Sequence, residues 1–194
     1  MQVQKEEVRE RILIAARSEF KKRGYKRTLM RSIAARARVT PGNIYSYFPG
    51  KEALFAAVVG PAAEATRRIY DQEFAGSPER RQVLEQISGE IVDLVLRHGD
   101  DFLLLLDGSD GSPYELTRRQ LVAIIDERIR EYVFPFFQAE QRDPLLAQAW
   151  AEALLSGLLT LLHGALNDAG RLRRNVSLFL SRMFPDEMQP VEGS

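Results

Sequence analysis

Cysteine is absent from the 194 residues, and histidine occurs only twice, at His98 and His163. The first absence excludes disulfides and thiolate chemistry; the second leaves too few imidazoles for a multi-histidine metal site. No metal or other cofactor is expected. Strand patterns, internal repeats and low-complexity segments are lacking too. The N-terminus, MQVQKEEVRERI, places charges where an export signal needs an apolar run. The expectation is a mature cytoplasmic protein that starts at Met1. The longest apolar stretch, from Ala147 to Leu166, is interrupted by Glu152, Ser156, Gly157 and His163. It falls short of the roughly 20 predominantly apolar residues that span a bilayer, so no membrane partner is expected.

Net charge is also missing, since 27 Lys or Arg balance 27 Asp or Glu. The balance hides a division. Residues 1 to 51 hold 13 Lys or Arg against 4 Asp or Glu, a net +9, and residues 52 to 194 carry the compensating −9. All the lysines lie at or before Lys51. A basic head on an acidic body is expected where one part meets a polyanion and the other stays clear of it; chance surface composition is the plainer explanation.

What the chain does have is helical periodicity. From Lys5 to Arg23, Val8, Ile12, Ala15, Ala16 and Phe20 recur at spacings of three and four, and Gly24 is a natural stop. Thr28 offers a cap for a second helix whose inward face is Ile33, Ala34 and Ala37, ending near Arg38. Thr40 can cap a third, with Pro41 at its first position and Ile44 and Phe48 as anchors. Pro49 and Gly50 separate that helix from a fourth over 51 to 59, which Gly60 and Pro61 should kink or end. Further helices are expected at about 62–74, 78–97, 101–107, 114–138, 143–167 and 170–184, with a frayed tail from Pro185. The fold class is all-α, with nine or ten helices. Two short helices around a tight turn, with exposed aromatic and basic residues, suit a helix-turn-helix that grips DNA.

The same residues resemble the TetR family of bacterial transcriptional regulators. The likeness is carried by Gly24-Tyr25, Thr28, Ile33-Ala34, Ala37, Val39, Gly42, Tyr45, Tyr47-Phe48 and Lys51-Glu52. It covers about residues 6 to 66, with the motif at about 29 to 48. The resemblance implies a helix-turn-helix domain over 1–50 and a helical effector-binding and dimerisation domain over 51–194. It also implies that Thr40, Pro41, Gly42 and Asn43 meet base edges, with Thr28, Tyr45, Tyr47 and Lys51 at phosphates and Arg31 and Ser46 nearby. Arg38 stands where the family usually has glycine. Either the turn takes another geometry, or Arg38 accepts a left-handed conformation and reaches a phosphate.

By the same resemblance, the protein is a ligand-responsive regulator, more a repressor than an activator. It would bind a roughly palindromic double-stranded operator as a homodimer and be released by a small apolar or amphipathic effector. Candidate pocket residues are Tyr70, Phe74, Phe102, Phe134, Phe137, Trp150 and His163, although aromatics at such spacing are more often ordinary core residues than ligand contacts. A dimer face is expected from Leu154, Leu155, Leu158, Leu162, Leu178, Phe179 and Met183; a core helix of a monomer is the alternative. Asp100, Asp101, Asp107 and Asp110 read as caps or solvated loops. Two other classes compete: a ligand-independent architectural DNA-binding protein, and an all-helical enzyme, for which no convergent nucleophile, base and metal ligands are found.

Overall fold

The structure, a computed structural model, describes residues 2–71, 80–166 and 168–183. Among these the architecture is all-α: α1 (Gln2–Arg27), α2 (Met30–Ala37), α3 (Pro41–Tyr45), α4 (Lys51–Tyr70), α5 (Arg80–Asp107), α6 (Thr117–Tyr132), α7 (Pro144–Ala165) and α8 (Ala169–Met183). Two short 3-10 turns, Phe134–Phe136 and Ala139–Gln141, lie between α6 and α7. Two compact units result, one of residues 1–66 with 98–117, the other of 67–97 with 118–194. The unit that contains the helix-turn-helix therefore extends beyond residues 1–50.

In the first unit the expected helical faces meet. Ile12, Ala15, Ala16 and Phe20 of α1 are buried with Ile33, Ala34 and Ala37 of α2, Ile44, Phe48, and Leu54, Phe55, Val58, Val59 and Ala62 of α4. Gly24 interrupts α1 at φ 70°, a conformation that favours glycine. The expected break at Gly60-Pro61 does not occur: α4 continues through Pro61. Proline there forfeits one helical hydrogen bond. Pro61 is exposed, so water can reach that gap, and burial of Val58, Val59 and Ala62 around it keeps the helix continuous. The expected helices at 78–97 and 101–107 are joined as α5, with a kink at His98 (φ −136°, ψ 17°). α6 is shorter than expected because Pro135 directs the chain into a 3-10 turn.

In the second unit α7 starts as its sequence suggests: the Asp143 carboxylate accepts from Leu145 N–H at 2.8 Å, and Pro144 takes the first position. α7 is long and apolar enough to cross a membrane by length and composition. Part of its apolar surface is covered: Leu154, Leu155, Leu158 and Leu162, expected on a dimer face, are buried within the single chain. α7 is apolar on several sides, and these leucines lie on sides covered within the chain. Phe179 of α8 is seated over Gly157, where any β-carbon would collide with the ring. Met183 is half-buried and Leu178 is exposed.

Candidate nucleic-acid interface

α2 is held to α1 by a buried carboxylate that periodicity alone does not reveal. Glu19, only 5% exposed, accepts from Arg36 Nε at 2.8 Å and lies 3.3 Å from Arg23 Nε. The expected capping role of Thr28 is corrected. Leu29 is the N-cap of α2 and makes no side-chain bond. Thr28 is fully buried, its hydroxyl 2.7 Å from the Gly24 carbonyl and 3.1 Å from that of Glu19. Its oxygen thus caps the end of α1 and is turned inward.

The turn after α2 takes the geometry usually reserved for glycine. Arg38 has φ 56° and ψ 46°, and is the only non-glycine residue with positive φ among those described. Its N–H points to the carbonyls of Ala34 and Ala35, and Val39 N–H reaches Ala34 O at 3.0 Å. These bonds close the last turn of α2 in a Schellman arrangement. The Arg38 side chain is exposed, as is that of Arg31.

α3 begins as expected: the Thr40 hydroxyl accepts from Asn43 N–H at 3.2 Å, and Pro41 follows the cap. Its α-helical part ends at Tyr45 rather than Phe48. Ser46 and Tyr47 bond three residues back, to Asn43 O and Ile44 O, which tightens the final turn. Ile44 and Phe48 are buried beneath it. Thr40, Pro41, Gly42, Asn43, Tyr45 and Ser46 are all exposed, and Tyr47 is half-buried. The Ser46 hydroxyl turns back to Gly42 O at 3.3 Å. A β-carbon added to Gly42 would meet only Thr40 Oγ1, at 4.0 Å. Among the described residues no contact requires glycine there, which leaves the backbone open to close approach from outside.

Lys51 serves the protein's own backbone. Its ammonium donates to Thr28 O at 3.1 Å and Lys26 O at 3.3 Å, and lies 4.3 Å from the centre of the Tyr25 ring. Burial pushes its pKa below the ordinary lysine value. Tyr25 packs edge-on against Phe55 at 4.9 Å, and burial raises its hydroxyl pKa, with Glu52 adding to the effect. The corner between α1 and α2 is thus fastened by Thr28 from one side and Lys51 from the other.

The acidic residues read as solvated loops have specific partners. Asp101, 7% exposed, receives Arg17 Nε at 2.6 Å and Nη2 at 3.0 Å, and that bonding raises the Arg17 pKa. Asp100 pairs with Lys21 at 2.6 Å, and Asp110 with Lys26 at 3.5 Å. Tyr25 N–H also donates to Gly108 O at 2.7 Å. Residues 98–117 bring five acids and no Lys or Arg, so the whole first unit has 13 basic against 11 acidic residues, a net +2. The +9 of residues 1–51 is largely neutralised by folding. One signal was present in the sequence: basic Arg17 and Lys21 four apart on α1, and adjacent acids at 100 and 101.

Residues 12–58, spanning most of α1 to the middle of α4, match the family described as Bacterial regulatory proteins, tetR family. Over these residues the chain is similar to the tetR family. Its likeness to the HTH-type transcriptional regulator UidR of Escherichia coli is 37% identity over 59 residues, 30% of each chain. With the HTH-type transcriptional regulator YerO of Bacillus subtilis it is 29% over 104 residues, 52% of this chain and 35% of the other. The matched part of the chain thus spans about a third of the length of these relatives. The fold extends further. A transcriptional regulator from Aquifex aeolicus superposes with a TM-score of 0.61 over 91% of this chain and 99% of its own, at 16% identity.

The expected effector residues divide. Phe134, Phe137 and Trp150 form one aromatic cluster in the second unit, with ring centres 6.4 Å apart for Phe134–Phe137 and 5.4 Å for Phe137–Trp150. Phe134 is buried, and the other two are half-buried. Phe102 is a buried residue of the first unit and does not belong with them. His163 is exposed, its Nδ1 2.8 Å from Leu159 O on its own helix. Phe74 and the Tyr70 side chain lie outside the described residues.

Proposed function

We propose that this protein is a tetR-family, ligand-responsive repressor that acts in the cytoplasm, binding a roughly palindromic DNA operator as a homodimer. The observation that carries this reading is the uncovered N-terminal end of α3. Thr40, Pro41, Gly42 and Asn43 are exposed there, while Ile44 and Phe48 anchor the helix from beneath. Asn43 offers both a donor and an acceptor to base edges, and Gly42 permits close approach. Tyr45, Tyr47, Ser46, Arg31 and Arg38 supply hydroxyls and cations for phosphates. Thr28 and Lys51 act from behind, by fixing the α1–α2 corner.

Operator symmetry calls for a two-fold dimer. Exposed Ala153, Ser156, Thr160 and Gly164 on α7, spaced three and four apart, give a strip of small residues for close helix contact, with Leu178 of α8 exposed as well. The Phe134, Phe137 and Trp150 cluster suits an apolar or amphipathic effector. Such a molecule releases DNA only if it binds the DNA-incompetent arrangement more tightly than the competent one.

The test is binding of the purified protein to a duplex from its own upstream region across a salt titration. Affinity should fall steeply as salt rises, and sedimentation at micromolar concentration should give a dimer. Absence of salt-sensitive affinity for any duplex would overturn the reading.

A further inference from the structure

Charge in the helix-turn-helix unit is managed in two ways. Arg31 and Arg38 are exposed beside α3, and no ion pair is seen for either among the described residues. Lys21 and Lys26 of α1, equally basic in the sequence, are each matched by a carboxylate from the 98–117 segment, Asp100 at 2.6 Å and Asp110 at 3.5 Å. Both pairs are solvent-exposed, at 44% and 49% for the first and 72% and 76% for the second. Exposed pairs of this kind add little to stability. Their electrostatic effect is larger: a carboxylate this close reduces the outward field of the ammonium to that of a dipole, which salt screens within roughly 8 Å.

We propose that Asp100 and Asp110 are specificity-determining residues, masking Lys21 and Lys26 so that these two positions of α1 offer no competing phosphate contact. The inference rests on the DNA-binding reading above. Non-specific affinity is set by how many phosphates a protein neutralises, whatever the sequence. Cations outside the α3 contact therefore strengthen non-specific binding modes, which do not use α3, without adding to the operator-bound one. Pairing them keeps contact with DNA dependent on α3 and the α2–α3 turn. Asp101 performs the same masking for Arg17, but it is buried, so its removal would test folding as well.

The experiment compares wild type with Asp100→Asn/Asp110→Asn, and with Glu127→Gln/Glu152→Gln, which changes net charge equally on exposed residues of the other unit. Each is titrated in salt against the upstream duplex and a shuffled duplex of equal length. The aspartate variant should bind the shuffled duplex about tenfold more tightly, with a salt slope steeper by about 0.9 for each freed cation. Its affinity for the upstream duplex should stay within about twofold of wild type, so the specificity ratio falls while the glutamate control keeps the wild-type ratio. The proposal is overturned if shuffled-duplex affinity is unchanged or rises equally in the control. It is also overturned if operator affinity falls instead, because the pairs would then act as a latch. Failure of the wild type to bind any duplex refutes the DNA reading itself.

Discussion

α1 and α3 are neighbours in one helix-turn-helix, yet their side chains are used in opposite ways. On α1, Ile12, Ala15, Ala16 and Phe20 are buried, and Arg17, Lys21, Arg23 and Lys26 each have a carboxylate partner. α3 has five residues, of which only Ile44 is buried; Pro41, Gly42, Asn43 and Tyr45 are exposed. A helix that short is not stable by itself, because nucleation is unfavourable and few bonds follow it. It persists because α1, α2 and α4 supply the core into which Ile44 and Phe48 insert. Burial and ion pairing are concentrated in the first helix, and exposed polar groups in the third. Substitutions on α1 should therefore act through stability, and those on α3 through recognition.

The largest effect is expected from Phe20→Ala. Phe20 is fully buried, edge-on to Phe55 at 4.9 Å and stacked with Tyr25 at 6.1 Å. Its truncation should destabilise the protein by about 3–5 kcal/mol, read from denaturant unfolding. A loss below about 1 kcal/mol would break the contrast from the α1 side. Asn43→Ala comes next. It should reduce discrimination between operator base variants by about 1–3 kcal/mol while leaving the unfolding midpoint unchanged. A lower midpoint with unaltered base preference would make Asn43 a structural residue and break the contrast from the α3 side.

Much of this contrast could be read from the residue order. The three- and four-residue spacing identified the buried faces of α1, α2 and α4, and Thr40-Pro41 marked the start of α3, because such signals are local. What escaped was non-local or decided by packing. Thr28 looks like a cap for the helix after it, but its hydroxyl serves the helix before it. Lys51 looks like a free cation, yet it fastens two carbonyls some 23 and 25 residues earlier. Asp101 pairs with Arg17 across 84 residues, a separation no periodicity can signal. Pro61 shows the reverse case: a correct local rule was overridden by buried neighbours on either side. The apolar spacing of α7 left two readings of its leucines, a dimer face or a core helix, because periodicity does not say what covers them.

The smallest expected effect lies at the turn where the two modes of use meet. Arg38 belongs neither to the buried network nor to the α3 surface, but to the left-handed residue joining them. Such a conformation costs an ordinary residue roughly 1 kcal/mol, and no contact seen for its side chain within the described chain offsets that strain. Arg38→Gly should relieve it, although glycine's greater freedom in the unfolded chain returns about half. The net gain is then about 0.5 kcal/mol, a rise of roughly 1–2 °C in melting temperature for a chain of this size. If the guanidinium reaches a phosphate, the same change should weaken DNA binding and lower the salt slope by about 0.9 per subunit. Arg38→Ala separates the two effects, since it keeps the strain and loses the charge: affinity should fall with no gain in stability. A more stable Arg38→Gly protein with unchanged affinity and slope would show that the strained turn serves no DNA contact. The opposing signs make this small effect the sharpest test of where the internally committed part of the helix-turn-helix ends.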